Sequence, residues 1–131
     1  MVKKIIIVAV IAFMLAGASV TEMLTLNKFY NNISVNTKQL LSMLDENDLH
    51  IDTPENIEKA EQMKTYFDEK RRLLQTVISQ LMINEFAYRV SALSAHVKMN
   101  DYNMAATDIA GILENCKLLR DQCYPHLTNI L

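Results

Sequence analysis

The sequence predicts an all-α protein: an N-terminal transmembrane helix followed by an antiparallel bundle of three or four helices. Three observations carry that expectation. Only two glycines and two prolines occur in 131 residues, too few for the frequent tight turns of an all-β fold. Leu, Ile, Met, Ala, Glu and Lys dominate the composition, and these residues suit long helices. Apolar residues also recur at alternating three- and four-residue spacings, the repeat of a helix with one buried face. The length suits one domain; without its opening segment the chain keeps about 110 residues, enough to bury roughly 60–70% of the unfolded surface. A formal charge of −2 argues against nucleic acid as a partner.

The first element is "MVKKIIIVAVIAFMLAGASVTEM". No charge occurs from Ile5 to Val20. Sixteen helical residues span about 24 Å, short of a hydrocarbon layer about 30 Å thick. Thr21 and the stems of Lys3 and Lys4 extend the span, because lysine can reach back to the head groups. Lys3, Lys4 and the terminal amine flank one end, whereas no lysine follows until Lys28. Positive charge stays on the cytoplasmic side, so the N-terminus is expected inside and the rest outside. The same residues also fit a signal peptide, with "MVKK" as its charged region and Ala16-Gly17-Ala18 as a cleavage pattern. The retained anchor over residues 1–23 is the preferred reading, with an exported helical domain over 24–131. "LAGAS" lacks the cysteine that lipid attachment needs.

The first exported helix is expected to carry its stripe on Leu26, Tyr30, Ile33, Thr37, Leu40 and Leu44, widened by Phe29 and Leu41. No breaker separates Val20 from Leu26, so the anchor is free to run into this helix. "DENDLHIDTPEN" interrupts it. Thr53 can accept from free amides, Pro54 needs no amide partner in the first turn, and Glu55 suits the positive helix end. A second stripe follows at Ile57, Ala60, Met63, Phe67, Leu74, Val77 and Leu81, with Lys70 in one core slot. The series then slips to Phe86, Val90, Leu93 and Val97. Asn84 is read as a cap at a kink or short break there, with one bent helix from Glu55 to Lys98 as the alternative. "KMNDYNM" supplies a further turn before Ala105, Ile109, Ile112, Cys116 and Leu119. Pro125 stops that helix no later than Tyr124, leaving "HLTNIL" as an apolar tail to cover one end of the core. None of these helices is stable alone in water, so their stripes must pack together.

The layout of "KKIIIVAVIAF", an acidic central hairpin, "AYRVSALSAHVKMNDYNMAATDIAGILENCKLL" and a closing "LTNIL" resembles a family of small bacterial membrane-anchored helical proteins catalogued as a domain of unknown function. The likeness covers most of the chain but rests on layout, with no catalytic motif. It implies a single span and an exported helical domain, and it transfers no activity.

Few residues suggest chemistry, and no catalytic, cofactor or metal residue is assigned. Cys116 and Cys123 share a helix face about 10.5 Å apart along the axis, too far for a disulfide unless the helix unwinds. Two small residues filling the core is the preferred reading. Asp48, His50 and Asp52 alternate in a loop that reads as a solvated turn more readily than as a metal site. His96 sits beside the Leu93 and Val97 stripe, and His126 beside Pro125 offers nothing further. Glu55 with Lys59, and Glu85 with Arg89, stand at i and i+4 as surface pairs. Asn32-Ile33-Ser34 matches a glycosylation sequon, expected to be silent in a bacterial layout. No Gly-rich phosphate loop and no nucleophile elbow occur.

Charge is unevenly spread. Between Asp45 and Glu61, seven carboxylates face Lys59 alone, giving 1 − 7 = −6. Lys64, Lys70, Arg71 and Arg72 follow. An antiparallel hairpin would hold the acidic tip away from a bilayer and set the arginines back toward lipid or an acidic partner. These features lead to the expectation of a non-enzymatic, membrane-tethered accessory protein on the outer side of the cytoplasmic membrane. It would dock another envelope or membrane protein, or itself. The competing readings are a small-molecule or metal-binding sensor using His96 or the acidic loop, and a secreted helical protein if cleavage follows Ala18.

Overall fold

The computed structural model describes residues 1–123. Four helices make up its regular structure: α1 (Val2–Glu46), α2 (Pro54–Leu74), α3 (Gln80–Lys98) and α4 (Tyr102–Cys123). No strand occurs among the described residues. α1 packs against α2 and α4, and α3 packs against the same two helices, so the four close into a ring. Polar contacts fix neighbour directions. Lys59 meets Asn36 and Gln39, whereas Leu73, one end of α2 away, lies against Thr21 and Thr25. α1 and α2 are therefore antiparallel.

α1 is 45 residues long, about 67 Å at 1.5 Å per residue. Its first half stands clear of the bundle: residues 2–18 and Val20 are exposed, Phe13 at 82%. One helix is thus apolar and long enough to cross a membrane. Its second half buries Leu26, Phe29, Ile33, Thr37, Leu40 and Leu44. Phe29 takes the central place expected of Tyr30; Tyr30 and Leu41 are partly buried against the core. Thr37 fits the apolar stripe because its hydroxyl donates to the Ile33 carbonyl at 2.6 Å, so the buried hydroxyl is paired.

Thr53 caps α2 as expected, its side chain accepting from the Asn56 amide at 3.2 Å, with Pro54 in the first turn. The connection before it is tied down on both sides. Asn56 donates to the Ile51 carbonyl, and Asn100 both accepts from the Ile51 amide and donates to the Leu49 carbonyl. Asn100 has φ 55°, a left-handed conformation that asparagine tolerates better than most residues.

The break between α2 and α3 falls earlier than Asn84. α2 ends at Leu74, residues 75–79 form the turn, and Ser79 caps α3 by accepting from the Met82 amide. The Thr76 hydroxyl donates to the Leu73 carbonyl at 2.7 Å, a local bond that competes with helix continuation. Asn84 lies inside α3, where it accepts from Gln80 and Arg71. The shift corrects the stripe as well: Ile78 and Ile83 are buried, and Leu81 is 79% exposed. Lys70 does not enter the core; its ammonium lies 5.8 Å from the centre of the Tyr66 ring. Phe86, Val90, Leu93 and Val97 on α3 are all buried as expected, with Ala105, Ile109, Ile112, Cys116 and Leu119 on α4.

Three phenylalanines from three helices meet at the centre. Phe29 lies edge-on to Phe86 at 5.7 Å, and Phe67 stacks on Phe86 at 6.0 Å. Such pairs add about 0.5–1.5 kcal/mol each beyond their burial. The closing tail and Pro125 lie outside the described residues.

Candidate functional site

Three places combine polar groups with the fold, and the first is a buried carboxylate between α3 and α4. Asp108 is 3% exposed. His96 Nδ1 is hydrogen-bonded to its Oδ2, and the Arg89 guanidinium stands 3.9 Å from its Oδ1. Arg89 also lies 3.8 Å from Glu85, the pair expected from their spacing. The arginine can reach Asp108 because α4 carries Gly111 opposite it; a Cβ there would stand 2.8 Å from Arg89 Nε. His96, expected as a helix-flank residue, is therefore a partner in an inter-helix clamp. Asp108 went unnoticed in the sequence although its spacing marks it. It lies three residues after Ala105 and four before Ile112, on the apolar stripe itself.

A second polar link joins α2 to α3. Glu61 accepts from the Ser94 hydroxyl at 2.6 Å and pairs with Lys98. The Lys98 ammonium, then the Ser94 hydroxyl, hold its carboxyl below the usual range.

The third place is an open cleft of about 220 Å³ between α1 and α2, lined by Asn32, Asn36, Lys59, Gln62, Met63 and Tyr66. The Lys59 ammonium donates to Asn36 Oδ1 at 2.6 Å and Gln39 Oε1 at 2.9 Å, so it crosses to α1 instead of pairing with Glu55. Asn32 of the sequon borders this cleft, where it accepts from Asn36. A neighbouring hollow of about 170 Å³ is lined by Lys28, Phe29, Tyr66, Lys70 and Leu73, among others.

The loop residues Asp48, His50 and Asp52 are all exposed. Among the described residues no group of three or more His, Cys, Asp or Glu side chains is arranged to hold a metal. Asp45 is drawn instead toward α4, accepting from the Tyr102 hydroxyl at 2.5 Å; that bond and the nearby carboxylates push the phenol up. Cys116 is a buried free thiol, and burial pushes it up to about 12. The side chain of Cys123, like His126, lies outside the described residues. Asp108 with His96 and Arg89, and Ser94 with Glu61, thus tie neighbouring helices to one another. Comparison with family models, with curated proteins and with solved structures finds no match to this chain.

Proposed function

We propose that the chain is a non-enzymatic, membrane-tethered accessory protein of the cell envelope. Its N-terminus sits on the cytoplasmic side, one span crosses the cytoplasmic membrane, and an antiparallel four-helix body on the outer side docks another membrane protein or a second copy. The single observation that carries this reading is the apolar run from Ile5 to Val20, exposed over residues 5–18 and at Val20 and continuous with the rest of α1. Leaving so many large apolar side chains in water is strongly unfavourable, at about 25 cal/mol per Å², and lipid removes the penalty. The likeness in layout to small bacterial single-span helical proteins belongs to the same proposal.

Helix continuity favours retention of the anchor. α1 runs unbroken through Ala16–Ala18, and the Thr21 hydroxyl donates to the Gly17 carbonyl at 2.9 Å. Sequencing the mature N-terminus tests this: a start at Met1 or Val2 supports the anchor, and a start at Ser19 makes the chain a secreted bundle. A periplasm-active reporter fused after Leu131 should be active; activity of a cytosol-only reporter refutes the orientation. Crosslinking in the native cell should capture an envelope protein or a dimer, and a chain that crosslinks to nothing removes the docking role. The cleft beside Lys59 favours one second reading, a sensor of a small polar molecule. A ligand-dependent rise in melting temperature would support it.

A further inference from the structure

The bundle end nearest the span combines geometry, charge and exposed apolar side chains in one layer. Leu73, Thr76 and Val77 lie against Thr21, Glu22 and Thr25. Those α1 residues follow Val20 by one to five positions, about 1.5–7.5 Å of helix rise. The head-group layer on each side of a bilayer is itself about 5–8 Å thick. The turn at residues 75–79 therefore reaches head-group depth once the span is inserted. The span is also about 6 Å shorter than the hydrocarbon layer, and that mismatch draws its flank inward.

The side chains at this level match such a setting. Residues 21–28 and 70–84 contain Lys28, Lys70, Arg71 and Arg72 against Glu22, a balance of 4 − 1 = +3, with Asp68, Glu69 and Glu85 just farther from the span. The far end, residues 45–61, sums to −6. Leu81, in the first turn of α3, is 79% exposed, and Leu73, which borders Thr21 and Thr25, is 47% exposed.

We infer that the α2–α3 turn is a second membrane contact, in which Lys28, Lys70, Arg71 and Arg72 bind anionic lipid head groups while Leu73 and Leu81 enter the interface. The inference rests on the membrane reading above. The contact fixes the bundle upright on the membrane, with its acidic tip repelled outward. Basic residues beside anionic lipid act additively, and neutralising three of them is expected to shift the docked-to-undocked ratio on the order of a hundredfold.

The chain contains no tryptophan, so one introduced indole reports depth without background. The full chain carrying L81W, M99W or V10W is reconstituted into brominated phosphatidylcholine vesicles, alone or mixed equally with phosphatidylglycerol brominated to the same extent. The expected result is strong quenching of V10W in both lipids. L81W should be quenched more in the anionic mixture, and M99W, at the far end, should be quenched in neither. K70Q/R71Q/R72Q, with K28Q as an independent second variant, should remove the anionic enhancement for L81W. If L81W is quenched no more than M99W, or equally in both lipids, the contact is refuted while a quenched V10W leaves the span intact. An unquenched V10W refutes the span itself, and this inference with it.

Discussion

Replacing Asp108 with alanine tests whether the buried carboxylate is a clamp between α3 and α4. A hydrogen bond to a charged group contributes about 1.5–3 kcal/mol, and breaking a fully buried ion pair costs about 3–5 kcal/mol. Here only Asp108 is fully buried; the His96 and Arg89 side chains are 21% and 29% exposed. Both side chains can turn to water once the carboxylate is gone, so the cost belongs near the lower range, about 2 kcal/mol. For a body of about 100 residues each kcal/mol shifts the midpoint by about 4–8 °C, so D108A should melt roughly 8–16 °C below the parent. Far-UV circular dichroism of the detergent-solubilised full chain measures it, with urea unfolding as a second probe. H96A should be less costly, and the D108A/H96A double variant should be closer to D108A than to the sum, since both remove one contact. A D108A melt that coincides with the parent's would refute the clamp.

Gly111→Ala should alter stability by less than about 1 kcal/mol in the parent, where improved helix propensity is offset by displacing Arg89 from Asp108. In an R89A background the same change should gain close to the full propensity difference, read as a higher urea midpoint. Cys116, in a C123S chain, should resist thiol reagents at neutral pH until the protein is unfolded, because burial holds its thiol up to about 12 against an ordinary 9.0. The raised value has a sign: the stabilisation is complete below pH 9, where both states are protonated, and is lost as pH rises toward 12 and the unfolded thiol ionises. C116V should flatten that alkaline loss; burial of Tyr66, whose phenol is also pushed up, leaves a residue of it. Ser79→Ala should cost about 1 kcal/mol by removing a helix cap, whereas Asn84→Ala should stay within about 0.5 kcal/mol as an exposed substitution. Comparing their melts distinguishes a turn at 75–79 from a kink at Asn84.

The buried faces of α1, α3 and α4 were legible because regular spacing of apolar side chains reports which side of a helix meets the others. Thr53 with Pro54 marked the start of α2 because both residues have local reasons to sit there. The α2–α3 break misled because the apolar series of α2 runs past Leu74 without a glycine or proline. Ser79 and Thr76 decide it through local side-chain-to-backbone bonds, and serine and threonine occur too widely for those bonds to be read from type alone. Lys59 shows the same limit: its spacing from Glu55 suggested a pair within one helix, but Asn36 and Gln39 of α1 stand nearer once the helices pack.

The amino-acid sequence by itself determined the helical class, the apolar N-terminal run and the opposition of acidic and basic segments, since these follow from composition and order along one chain. Only the tertiary structure decided that Asp108 meets His96 and Arg89, that Lys59 crosses to α1, and that the α2–α3 turn stands beside Thr21. Those are relations between residues on different helices, 12 or more positions apart. They depend on the rotation and direction with which each helix packs on its neighbours, and no spacing within a single helix encodes either.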